Sequence, residues 1–242
     1  NKAFDQKLIQ TFRAYGGCIA QRHQGANAAS KLHAKAVVIR SLGSSTDSHP
    51  HTGSMHYDAG VDSCAGAAMS TQNADLLNDW LSKGKVTLRM EMDCRHYPNE
   101  MSHNVIAEMV GNQDQKIITF GGHLDSWDVG EGAHDDGAGV VHSIEALRIL
   151  KKLGYQPKHT LRCVLFMNEE NGLAGGRAYQ VASDAAGEYH MAAIESDRGG
   201  FTPRGFTADA DESVFSKKFR KVNKWLPLLE PYGLRLSKGG SG

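Results

Sequence analysis

Lys116-Ile117-Ile118-Thr119-Phe120-Gly121-Gly122-His123-Leu124-Asp125-Ser126-Trp127-Asp128 runs from a β-branched apolar stretch into glycines, a histidine and carboxylates. Gly132-Ala133-His134-Asp135-Asp136-Gly137-Ala138-Gly139 follows and leads into a helical pattern at Val140–Lys152. An apolar strand, a polar loop and then a helix is the repeating unit of an α/β sheet. The order recurs downstream with a strand at Leu161–Met167, a helix near Ala174–Ala182 and a strand at Met191–Glu195. The sequence therefore predicts an α/β fold, a mixed central sheet flanked by helices.

Working outward, Lys85–Asp93 alternates strictly, with Val86, Leu88, Met90 and Met92 apolar and Thr87, Arg89, Glu91 and Asp93 polar. That period predicts a half-buried strand pairing with Val105–Met109 and Lys116–Phe120. Upstream, Ser70 or Thr71 can cap a helix through Ala74–Leu81 that Gly84 ends. Residues 22–34 read as a helix and Ala36–Ile39 as a strand, and a Ser/Thr/Gly/His-rich stretch from Ser41 to Gly60 suits a functional loop or a domain edge. These shifts predict a boundary near residue 84, with a small unit over 1–84 and a larger one over 85–242.

The 242 residues are 40% hydrophobic and 22% charged, with 27 Lys+Arg against 27 Asp+Glu, the composition of a globular protein. Zero net charge gives no basic field for nucleic acid, and Lys217, Lys218, Arg220, Lys221 and Lys224 have the spacing of a solvated helix face. The longest apolar runs are strand-sized, well short of the roughly 18 residues of a membrane span. Four cysteines stand far apart without a Cys-x-x-Cys, which argues against a zinc ribbon or a redox motif.

Three successive strands end in groups that bind metals, at the sheet edge where α/β proteins hold ligands. The first ends in His123 and leads to Asp125 and Asp135, the second in Asn168-Glu169-Glu170-Asn171-Gly172, and the third in Glu195-Ser196-Asp197. Imidazole and carboxylate together suit zinc, and clustered carboxylates repel unless cations compensate them. With His123, Asp135, Glu170 and Asp197 as ligands, three carboxylates and one bridging hydroxide balance two zinc ions without Glu169. On extended chain Glu170 would face the metal and Glu169 the water, which leaves Glu169 as general base. Asp135 would bridge, and Asp125, two residues past His123, would fix the tautomer of the imidazole. Gly121, Gly122, Gly137 and Gly139 would let backbone pack close to the site.

The run Gly121–Gly139, followed by Asn168–Gly172 and Glu195–Asp197, resembles the M28 family of di-zinc exopeptidases. Gln21–Ala26, Ala36–Ser41 and Ser48–Gly53 are similar to part of the protease-associated domain inserted in some members. The resemblance implies His123 and Asp197 as terminal ligands of the two zincs, Asp135 bridging, Glu170 on one zinc and Glu169 as base. It also implies hydrolysis of terminal peptide bonds in dipeptides or short peptides, carboxypeptidase-like with the polarity left open, and a secreted or lysosomal location. It further implies a histidine ligand well downstream of Asp197. No histidine follows His190 in this sequence. With Asn1 at one end and Gly239-Gly240-Ser241-Gly242 at the other, the chain reads as the central piece of a longer protein.

Simpler readings apply to several residues. Asp136 can be read as a helix cap and nothing more, or as part of the site, and the sequence leaves both open. An EF-hand reading of Asp125–Asp136 fails, because Trp127 stands third and no Glu twelfth. No Gly-x-Ser-x-Gly or His-Glu-x-x-His occurs. His49 and His51 lie in the inserted-domain loop without a derivable role, and Trp127 can wall a pocket or fill core. An aminopeptidase shares all of the metal chemistry, and a receptor-like relative would keep the fold without catalysis. The sequence leaves oligomeric state open, a homodimer included.

Overall fold

The computed structural model describes residues 12–43, 45–51 and 53–239. Thr52 and the closing Gly240-Ser241-Gly242 lie outside the described residues. The chain divides into two compact units, Asn1–Asn99 and Glu100–Gly242.

In the first unit, α1 (Phe12–Gly16) and α2 (Ile19–Lys31) precede β1 (Ala36–Arg40), which pairs in parallel with β2 (Ala65–Met69). The helix expected at 22–34 thus begins and ends about one turn earlier. Helix α3 (Thr71–Lys83) is capped by Ser70, whose side chain accepts from the Asn73 N–H, and ends at Gly84 as its sequence predicts. The alternation at Lys85–Asp93 does not form a strand: residues 85–99 carry no regular structure, and they group with the first unit, not the second. Side-chain period alone does not hold an extended segment, because its backbone groups need a ladder partner, and among the described residues they have none.

The second unit is built on a four-stranded mixed sheet of β3 (Val105–Met109), β4 (Lys116–His123), β5 (Thr160–Phe166) and β6 (Tyr189–Glu195), in the order β3-β5-β4-β6. Strand β4 runs parallel to both β5 and β6, while β3 runs antiparallel to β5. Helix α4 (Gly137–Lys152) connects β4 to β5, and α5 (Ala174–Ala186) connects β5 to β6. The crossovers β4-α4-β5 and β5-α5-β6 step in opposite directions along the sheet, and right-handed connection sends their helices to opposite faces. Leu147 of α4 packs with Cys163 and Leu165 of β5 and with Phe120 of β4. On the other face Tyr179 of α5 meets Phe166 edge-on and the Arg162 guanidinium. Cys163, Val164 and Leu165 are all buried, as a strand covered on both faces requires.

The C-terminal part of the chain forms a parallel pair, β7 (Gly205–Ala208) and β8 (Arg235–Lys238), with α6 (Glu212–Val222) between them in sequence. The basic residues of α6 and its flank are exposed, as the sequence predicts for a solvated face.

Candidate metal centre

Because β4, β5 and β6 are parallel, their C-terminal ends share one edge of the sheet, and the polar loops converge there. His123 closes β4 and is 1% exposed. Its Nδ1 lies 2.8 Å from the backbone carbonyl of Asp125, so Nδ1–H is the donor and Nε2 is free to face the cluster. The tautomer is thus fixed by Asp125, the residue the sequence suggests, and the oxygen that does so is its main-chain carbonyl. That carboxylate accepts instead from the N–H groups of Glu169 (2.9 Å) and Glu170 (3.2 Å), and so anchors the loop after β5.

Nε2 of His123 sits 3.2 Å from Asp135 Oδ1 and 3.3 Å from Asp197 Oδ1. His123, Asp135 and Glu170 form one group able to surround a cation, and His123, Asp136 and Asp197 form another. Glu169 and Glu170 occupy a turn after β5, where the sequence suggests extended chain; Asn168 at φ 63° starts it. Among the described residues, Glu170 Oε1 and Asp197 Oδ1 are the buried side-chain oxygens with no hydrogen-bond partner. Buried carboxylate oxygens are costly without a donor or a cation.

The electrostatics agree. Burial, reinforced by Asp135 and Glu169, pushes the Glu170 carboxyl up to about 7, and burial likewise pushes Asp197 up to about 6. Burial disfavours the charged form of His123, but the Asp125 carbonyl and the carboxylates of Asp197, Asp136 and Glu169 outweigh it and lift the imidazole to about 9. A site that raises both acids and bases in this way holds excess negative charge that a cation would relieve.

Asp136 is a strut. Its Oδ2 accepts from the His123 N–H and its Oδ1 from Gly139 N–H at the start of α4, both at 3.0 Å. Burial pushes its carboxyl up, against those two hydrogen bonds. A Cβ at Gly122 or Gly139 would collide with this carboxylate, so glycine is needed at both positions for close approach.

Two other features escaped the sequence reading. Asn104 accepts from the Met167 N–H (3.0 Å) and donates to the Gly175 carbonyl (2.8 Å), bracketing the Glu169-Glu170 turn. His134 accepts from the Gly200 N–H at 3.2 Å. His190 faces the far half of the sheet, bonded to Thr119 Oγ1 (2.7 Å) and Ser183 Oγ (2.9 Å), away from the cluster. His51 and His49 are loop-formers: the His51 N–H donates to Ser41 Oγ and the His49 N–H to Asp47 Oδ1. Trp127 is half-buried.

Residues 104–228 match the profile of peptidase family M28. The chain belongs to this family. It is 35% identical to carboxypeptidase Q of Bos taurus over 238 residues, 96% of this chain and 49% of the relative. An M28 peptidase precursor from Shewanella amazonensis SB2B has a similar structure, with a TM-score of 0.78 and 33% identity over 95% of this chain and 51% of that one. The aminopeptidase of Aneurinibacillus sp. strain AM-1 is more distant, with a TM-score of 0.51 and 25% identity over 89% of this chain and 52% of that one. The M28 chain described here spans about half the length of the relatives it matches.

Proposed function

We propose that this chain carries the metal centre of a di-zinc exopeptidase that hydrolyses terminal peptide bonds of dipeptides or short peptides, in the manner of carboxypeptidase Q. The supporting observation is the convergence at one sheet edge of His123 Nε2, Asp135 and the buried oxygens of Glu170 and Asp197 that accept no hydrogen bond. His123, Asp135, Glu170 and Asp197 would hold the metal, with Asp135 as the shared ligand. When bound, zinc supplies polarisation of the scissile carbonyl and acidification of a water molecule.

The protein's own groups do the rest. Glu169 takes the proton of the attacking water and returns it to the leaving amine. Asp125 holds both sides of the arrangement, its carbonyl aiming His123 and its carboxylate fixing the turn that carries Glu169 and Glu170. Residues 1–84 form part of a protease-associated domain in this reading, and the likeness to carboxypeptidase Q favours a secreted or lysosomal location. The further histidine ligand that the family resemblance implies has no counterpart after His190 in this sequence.

Likeness to a solved aminopeptidase supports a second polarity. N-blocked and C-blocked dipeptides separate the two. Release of the C-terminal residue from the N-blocked substrate is the result expected here, whereas cleavage of only the C-blocked one would establish an aminopeptidase. Zinc uptake with no hydrolysis of either would favour a receptor-like relative.

A further inference from the structure

We infer that His134 is a positioning residue that sets the spacing of Asp135 and Asp197 by pinning the loop after β6 to the loop before α4. The inference rests on the reading of these two carboxylates as metal ligands.

Asp135 and Asp197 belong to different loops, and neither lies in a helix or strand. The Asp135 side chain is 62% exposed, so packing around it does little to fix it. Yet both carboxylates must stay within reach of the same imidazole, His123 Nε2. His134 immediately precedes Asp135, and its side chain meets three successive residues just past Asp197. Its Nδ1 accepts from the Gly200 N–H at 3.2 Å, which requires the neutral ring with its proton on Nε2. Its ring lies 4.9 Å from the Phe201 ring at a tilt of 57°. Gly199, at φ 81°, passes so close that a Cβ there would enter the imidazole. A hydrogen bond, a ring contact and a glycine that permits close approach thus join the two ligand loops at one residue. Such outer contacts govern how well ligands are presented, and their loss commonly weakens metal binding 10–100-fold.

The test is zinc affinity of the full chain, measured by competition with a chromogenic chelator, alongside the thermal midpoint of the metal-free protein. His134→Ala is expected to weaken zinc binding about tenfold or more. His134→Asn, whose Oδ1 can accept from Gly200, is expected to recover most of that affinity. Gly199→Ala, which strains the left-handed backbone there and drives a Cβ into the imidazole, is expected to weaken zinc binding, and to do so much less in the His134→Asn background where the imidazole is gone; this pair carries the test if His134→Ala does not fold. A merely structural role would lower the metal-free midpoint and leave zinc affinity unchanged. Wild-type affinity in His134→Ala or Gly199→Ala, or affinity in His134→Asn as weak as in His134→Ala, overturns the inference. If the wild-type chain binds no zinc, the metal-centre reading itself fails, and this inference with it.

Discussion

His123, Asp135, Glu170 and Asp197 can be read from the sequence because each is a ligand type placed just past an apolar strand or before a helix. Glu169 and Asp135 have separable duties, which gives a paired prediction. Glu169→Gln should retain zinc and lose hydrolysis by about 10²–10⁴-fold, whereas Asp135→Asn should lose zinc; elemental analysis and a dipeptide assay on the same preparations check both. Asp125 shows where sequence reading stops. Its carbonyl and its carboxylate stand equally close to His123 in the chain, and only the fold assigns the first to the imidazole and the second to two N–H groups. Asp125→Asn keeps the carbonyl but replaces one accepting oxygen with a donor, so zinc affinity should fall about 10–100-fold by calorimetry with the His123 contact retained. Unchanged affinity would count against the Asp125 carboxylate as the anchor of the turn. Asn104 and His134 were not legible at all, since their partners are backbone groups from distant segments.

Among the elements, those with both a periodic pattern and a partner were legible. Strands β4, β5 and β6 and the helices between them lie where their apolar runs indicate, whereas Lys85–Asp93 has the period of a strand and no ladder among the described residues. Two polar devices secure the sheet. Asp136 caps α4 and holds the His123 N–H, so Asp136→Ala should destabilise the protein by about 2–4 kcal/mol and lower its thermal midpoint. On the α5 face, Arg162 of β5 pairs with Glu108 of β3 and with Glu188 beside β6, which lashes three strands together. Hydrogen bonds from Arg162 hold the Glu188 carboxyl at about 2, below its ordinary 4.5. Its contribution is therefore present above pH 4.5 and is lost as pH falls from there toward 2. Asp114, held at about 2 by His159 and Lys116, loses its contribution over the narrower range from 3.8 toward 2. Glu188→Gln should flatten the acid limb of a stability-against-pH curve obtained by urea titration, and a limb as steep as the wild type's would remove Glu188 from that account.

The molecule as a whole comprises two compact units, and all of the proposed ligands belong to the second. The sheet, its switch between opposite crossovers and the ligand-bearing loops fall within the residues that match peptidase family M28. The division after Asn99 was not legible, because the alternation at Lys85–Asp93 suggests membership of the sheet that the backbone does not provide. The central claim is that this sheet edge is a metal centre. It is tested most directly by the zinc bound per chain, counted by native mass spectrometry after zinc titration of metal-free protein, for the wild type and Asp135→Asn side by side. Zinc retained by the wild type and absent from Asp135→Asn is the predicted result; equal zinc in the two proteins, or none in either, would contradict it.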